Sequence, residues 1–99
     1  MDIGALISIA IANKKIIEFD YHNHHRIAEP HVYGVLEGKE QVLVYQTDGT
    51  SSSGGLPDWR RMDINEISNL NVTDKTFAGP RQYPSGKHSS FDRMIAVVK

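Results

Sequence analysis

The order of apolar and polar residues predicts one short helix followed by five or six short strands. Apolar residues recur at helical spacing near the N-terminus, so a helix is expected over about residues 3–13, with Asp2 as its N-cap. Two-residue alternation, which is typical of strands, follows in several segments: IIEFDY, RIAEPHVYGV, QVLVYQT, WRRMDI and MIAVV. In NEISNLNV the apolar spacing fits a helical turn running into a strand and does not decide between the two.

This pattern is typical of a mainly β, α+β domain. We expect a small SH3/Sm-like β-barrel of about five strands, with the N-terminal α-helix plugging one end. The whole chain, 1–99, has the length of a single small domain. Its barrel strands are expected over about 16–72, and a basic segment, 75–99, is expected to end in a strand at about 94–98. The segments DGTSSSGGLPD and AGPRQYPSGKHSS are predicted to be loops.

Composition excludes several kinds of protein. The chain has no cysteine, which excludes disulfides and thiolate metal sites. No apolar run approaches the roughly 20 residues that a membrane-spanning helix needs. The N-terminus also lacks the basic start and the small-residue cleavage site of a secretory signal. We therefore expect a cytoplasmic protein with no membrane partner.

Charge is distributed unevenly, although the formal net charge is only −1. Residues 1–74 carry six basic and eleven acidic side chains, whereas residues 75–99 carry five basic and one acidic. The basic C-terminal segment can bind phosphate, or it can pair with the acidic body of the domain. Surfaces of mixed charge are ordinary, so pairing is the favoured interpretation.

Four of the five histidines lie within the fourteen residues EFDYHNHHRIAEPH, together with three carboxylates. Zinc needs three or four converging ligands, and a hairpin can bring together His22, His24 and His31 with one carboxylate. No second motif, such as H-E-x-x-H, supports a metal site. A solvated hairpin tip rich in imidazole is therefore the favoured interpretation, and no metal or other cofactor is expected.

Several short motifs follow one another in a characteristic order. A helix carrying Ala12, and followed by Lys15, leads into a strand that ends in Tyr21, and a polar turn then leads to Arg26 and Pro30. The segments that come next are QVLVYQ, WRRMDINEISNL and DKTF. This order resembles the WYL domain family, across about residues 5–77. The resemblance implies an Sm-like, SH3-type barrel of the kind that usually sits in bacterial regulators, where it binds a ligand or nucleic acid and passes on the signal.

The resemblance also indicates a polar pocket. The residues that match or neighbour its positions are Tyr21, Arg26, His31, Arg60 and Arg61. Arg26 and Arg60 can clamp a phosphate or a carboxylate, while Tyr21 and His31 can stack on a base or donate hydrogen bonds. Trp59, which precedes the two arginines, is a candidate stacking platform.

Two observations keep other interpretations of these residues open. Aromatic residues at strand ends are commonly part of the rim of a core, and Arg26 can form an ordinary surface ion pair with Asp20 or Glu29. In addition, Asp63 and Glu66 stand where the family has two of its arginines, which leaves nucleic-acid binding undecided.

Three functional hypotheses follow from the sequence. The first is a non-enzymatic regulatory module that binds a small anionic ligand or nucleotide. The second is a protein-interaction module that pairs through exposed sheet edges. In it the strand MIAVV pairs with another copy of the chain and so forms a homodimer. The third is a metal-dependent hydrolase that uses the histidine cluster, His22–His31. We favour the first and expect no catalysis, because no residue has both an evident activator and an evident partner.

Overall fold

The computed structural model describes residues 2–49, 55–81 and 91–99. These residues form one N-terminal α-helix and a six-stranded antiparallel sheet, so the chain is mainly β. The elements are α1 (Ile3–Ala12), β1 (Lys15–Tyr21), β2 (His24–Leu36), β3 (Lys39–Gly49), β4 (Asp58–Asp63), a 3₁₀ helix (Ile64–Glu66), β5 (Ser68–Thr76) and β6 (Arg93–Val97). Parts of the two predicted loops, residues 50–54 and 82–90, lie outside the described residues.

The strands β1 to β4 form a meander, and β5 returns to pair with β1, which gives the order β4-β3-β2-β1-β5. Within the described chain β4 and β5 do not pair with each other, so the sheet is not closed. Strand β6 joins on β2, which is long enough to pair with β1 over residues 24–28 and with β6 over residues 32–35. A register shift lies between Pro30 and Val32, and such an irregularity suits a proline, which has no N–H to donate to a neighbouring strand.

The histidine-rich hairpin turns at only two residues, His22 and Asn23. Both have positive φ, at 50° and 66°, as the twist of a two-residue hairpin requires. Tyr21 pairs with His24, so His24 and His25 already belong to strand β2. The segment NEISNLNV, whose apolar spacing did not decide between a helical turn and a strand, contains the end of the 3₁₀ helix followed by the first part of strand β5.

Helix α1 packs on one face of the sheet and forms the main core with it. Asp2 caps the helix by accepting a hydrogen bond from the amide of Ala5 at 2.7 Å. The helix approaches the sheet so closely that a Cβ on Gly4 would collide with the hydroxyl of Tyr33. The fully buried residues that share this core include Ile7, Ala10, Ile17, Phe19, Val42 and Val44.

A second, smaller cluster covers the opposite face of the sheet. It consists of Val32, Leu43 and Phe91, with Leu36 and Trp59 packed against it. Phe91 thus contacts the face of the sheet turned away from α1, whereas Val98, near the end of the chain, belongs to the main core. No helix in the described residues is long and apolar enough to cross a membrane.

Candidate functional site

The six predicted ligand-binding residues are divided between the two faces of the sheet. Side chains alternate along a strand, so the neighbours Trp59, Arg60 and Arg61 cannot all point the same way. Arg60 pairs with Val44, which lies on the face covered by α1, here called the inner face. Arg61 pairs with Leu43, which lies on the opposite, outer face. The structure thus does not bring all six residues into one pocket.

Tyr21, Arg26 and Arg60 belong to the inner face. Tyr21 is part of the main core, and Arg26 pairs in register with Phe19 of the same core. The guanidinium of Arg26 lies over the ring of Tyr21, 5.4 Å from its centroid. We call Arg26 and Arg60 the arginine pair.

Arg26 is buried, with 4% of its surface exposed. Its Nε and Nη2 both donate to the backbone oxygen of Tyr21 at 3.4 Å, and its Nη1 donates to Oε1 of Gln46 at 3.1 Å. All three bonds end on neutral oxygens. Among the described residues, no carboxylate forms a salt bridge with Arg26.

The two members of the arginine pair repel each other. Burial is the main cause that lowers the pKa of Arg26, and the positive charge of Arg60 lowers it further. Arg60 is mostly buried, and its Nη1 lies 3.9 Å from Oδ2 of Asp58, an exposed side chain. Two guanidinium groups therefore lie near each other at low dielectric, and this arrangement suits an anion that accepts hydrogen bonds from both.

Tyr21 joins two strands that are not neighbours in the sheet. Its hydroxyl accepts a hydrogen bond from the amide of Asp63 at 3.0 Å, which links the end of β1 to the end of β4. Burial raises the pKa of the Tyr21 hydroxyl. Since β2 and β3 lie between the linked strands in the sheet order, this contact requires strong curvature around the arginine pair.

His31 is fully buried next to the outer-face residue Trp59. Its Nε2 accepts a hydrogen bond from the amide of Arg81 at 3.3 Å, so the proton is on Nδ1, which donates to the oxygen of Glu29 at 2.8 Å. Its ring meets Trp59 edge-on at 4.8 Å and stacks on Phe77 at 5.4 Å. His31 therefore links three parts of the fold.

Sequence reasoning missed an outer-face group next to His31. Glu29, Tyr45 and Trp59 face one another across β2, β3 and β4. Arg81 lies on this row, and its Nε and Nη2 donate to the carboxylate of Glu29 at 2.6 and 3.0 Å. This ion pair agrees with the expectation that the basic C-terminal segment pairs with the acidic body. Arg61, which also lies on the outer face, has its guanidinium over the ring of Phe91, 4.6 Å from the centroid.

The histidine cluster does not converge. His22 lies 2.8 Å from a carboxylate oxygen of Glu66, whereas His25 lies 3.0 Å from Asp20. Hydrogen bonding to Asp20 is the main cause that raises the pKa of His25. Within residues 2–49, 55–81 and 91–99, no group of three or more histidine or acidic side chains is placed to hold a metal ion. The hairpin tip instead lines an open cleft of about 550 Å³.

The comparisons with known proteins do not bear on this geometry. No protein-family model, no curated protein and no solved structure matches the chain. The resemblance to WYL domains therefore stays a prediction from the sequence motifs.

Proposed function

We propose that this chain is a non-enzymatic binding module that takes a small anionic ligand, such as the phosphate of a nucleotide, at the arginine pair. One observation carries the proposal: Arg26 is a buried cation whose hydrogen bonds end on neutral oxygens and whose charged neighbour is a second guanidinium. Burying a charge without an opposite charge costs several kcal/mol, roughly, in a protein interior. A bound anion offsets that cost, whereas a purely structural role for Arg26 does not.

The two arginines would act in different ways. Arg26 is held by Tyr21 and Gln46, so its free N–H groups are presented in a fixed orientation. Arg60 is the more exposed of the two, and its Nη1 lies 3.9 Å from Oδ2 of Asp58. An entering phosphate would displace Asp58 from Arg60 and would then bridge both guanidinium groups.

We further propose that the fold is a strongly curved, Sm-like barrel of the kind that the resemblance to WYL domains implies. The support is the strand order, in which β5 returns to β1, and the Tyr21–Asp63 bond, which draws the end of β1 towards β4. A single nucleotide suits this site better than a nucleic-acid chain, because Asp63 and Glu66 place negative charge close to Tyr21.

The proposal is tested by titrating the protein with inorganic phosphate and with a panel of nucleoside mono- and diphosphates, by calorimetry at two salt concentrations. The variant Arg60→Gln removes one member of the arginine pair, and Arg61→Gln is a matched control on the opposite face. We expect Arg60→Gln to lose at least about tenfold in affinity, since charge-assisted bonds contribute about 1.5–3 kcal/mol. Arg61→Gln should bind like the parent, and equal losses in both variants would disprove the site.

A second function is favoured by strand β6. Its side chains Met94, Ile95 and Val97 are exposed although they are apolar, and β6 pairs with β2 along one side, with no second partner strand in the described residues. Such an edge can pair with another copy of the chain. Light scattering of the parent and of Ile95→Lys tests this: a dimer that the substitution converts to a monomer supports pairing, and a monomeric parent excludes it.

A further inference from the structure

The outer face holds a second polar site, on the other side of the sheet from the arginine pair. Glu29, Tyr45 and Trp59 form a row across three strands, and we call this row the guanidinium pocket. The Glu29 side chain is 6% exposed, and the rings of Tyr45 and Trp59 meet edge-on at 5.1 Å. The pocket thus combines a buried carboxylate with two aromatic rings.

Arg81 shows which chemical group this pocket accepts. Its guanidinium makes two hydrogen bonds to Glu29, at 2.6 and 3.0 Å, and lies over the ring of Tyr45 at 4.4 Å from the centroid. Two parallel bonds to a carboxylate need the planar fork of a guanidinium, and a flat cation also stacks well on an aromatic face. A lysine ammonium, as a point charge, would satisfy only part of this arrangement.

The pocket and the arginine that fills it belong to parts of the chain with different structure. The pocket residues lie on paired strands, which fix their positions. Arg81 follows the end of β5 in a segment without regular structure that contains Gly79 and Pro80. Its side chain is 47% exposed, so the arginine lies at the surface while the carboxylate beneath it is buried.

We propose that the guanidinium pocket is a binding site for an arginine side chain of a partner polypeptide, and that Arg81 occupies it as an internal competitor. Displacement of Arg81 exchanges one guanidinium for another and leaves the buried Glu29 paired, and the charge that loses its partner is the half-exposed Arg81, which water can solvate. An internal competitor has an effective concentration of about millimolar, so a partner arginine binds the parent protein weakly unless further contacts assist it.

The test uses the variant Arg81→Ala, in which the competitor is removed. The parent and the variant are titrated with N-acetyl-arginine amide and with N-acetyl-lysine amide, and NMR chemical shifts of Tyr45 and of the Trp59 indole report binding. We expect the variant to bind the arginine amide at least about tenfold more tightly than the parent does, because the competition has been removed. We expect no comparable gain for the lysine amide, and we expect Glu29→Gln in the Arg81→Ala background to abolish binding.

If Arg81→Ala does not fold in the absence of ligand, the same two amides still test whether the pocket binds an arginine side chain. In that case the arginine amide should restore the folded NMR spectrum or raise the melting midpoint at concentrations at which the lysine amide does not. A folded variant that gains no affinity for the arginine amide overturns the proposal, and so does a rescue that is equal for both amides. Either result would mean that the contact between Arg81 and Glu29 is only a structural link.

Discussion

Glu29 and Arg81 lie 52 positions apart in the chain, yet they form two hydrogen bonds on the outer face of the sheet. The carboxylate is buried, whereas the guanidinium is half exposed. This asymmetry matters for stability, because removal of the exposed partner leaves a negative charge in the interior.

The first prediction concerns this pair. Arg81→Met should lower the free energy of unfolding by about 2 kcal/mol, a value reduced from that of fully buried pairs because Arg81 is half exposed. The double variant Glu29→Gln with Arg81→Met should recover part of the loss, since it leaves no buried charge. Urea unfolding of both single variants and of the double variant measures the coupling, and strictly additive losses would contradict it.

The arginine pair gives the second prediction. Arg26→Met should lower the free energy of unfolding by no more than about 1–2 kcal/mol, because the loss of hydrogen bonds to Tyr21 and Gln46 is partly offset by removal of a buried charge that Arg60 repels. The same variant should lose phosphate and nucleotide binding. A loss of stability above about 3 kcal/mol would show that Arg26 serves the fold rather than a ligand.

Much of the fold was predictable from the sequence, because successive side chains of a strand point to opposite faces. A strand with one buried face therefore alternates apolar and polar residues. The same rule shows why the predicted site had to divide: Trp59, Arg60 and Arg61 are consecutive in one strand, so Arg60 must point away from both neighbours. The strand assignment was therefore enough to place Arg60 on one face and Trp59 and Arg61 on the other, although the residue types alone suggested a single pocket.

The outer-face site could not be predicted in this way. The contact of Glu29 with Arg81 depends on how the segment after β5 crosses the sheet, and no local spacing encodes it. The position of β6 beside the second half of β2 has the same cause, since pairing between distant strands is set by tertiary packing. A carboxylate directly before Pro30, within strand β2, was the one available signal.

The third prediction concerns the ion pair of His25 with Asp20. Hydrogen bonds from Asn69 and His25 hold the pKa of Asp20 below its ordinary value, and Asp20 in turn raises the pKa of His25. The stabilisation by Asp20 is lost as the pH falls below about 4, because the carboxylate becomes protonated. The stabilisation by His25 is lost as the pH rises past about 6.5 through its raised pKa, because the imidazolium loses its proton. The pair therefore stabilises the fold between these limits.

NMR titration of the His25 ring checks the direction of this pKa shift. Asp20→Asn should lower the midpoint of the His25 titration towards the ordinary value of about 6.5. Glu66→Gln, which breaks the neighbouring contact with His22, is the matched control and should leave the His25 titration unchanged. An unchanged midpoint in Asp20→Asn would remove the proposed coupling.

The fourth prediction concerns Tyr33, whose hydroxyl donates to Glu40 at 2.6 Å. Burial, followed by this hydrogen bond, raises the pKa of Tyr33 to about 12. The folded state keeps this proton after the unfolded chain has lost it near pH 10, so stability should fall as the pH rises from about 10 to about 12. Absorbance titration should show a late tyrosinate phase that Tyr33→Phe removes, and its persistence in that variant would assign it to another tyrosine.

The last prediction concerns the close approach of α1 to the sheet. Glycine to alanine in an exposed helix commonly stabilises by about 1 kcal/mol. At Gly4 the added methyl would instead meet the hydroxyl of Tyr33, which is held in place by Glu40. Gly4→Ala should therefore destabilise the fold by about 1–3 kcal/mol. The loss should be smaller in a Tyr33→Phe background, which removes the nearest atom. A gain in melting temperature for Gly4→Ala alone would show that α1 can shift on β2 without cost, and the tight packing assigned to this contact would then be wrong.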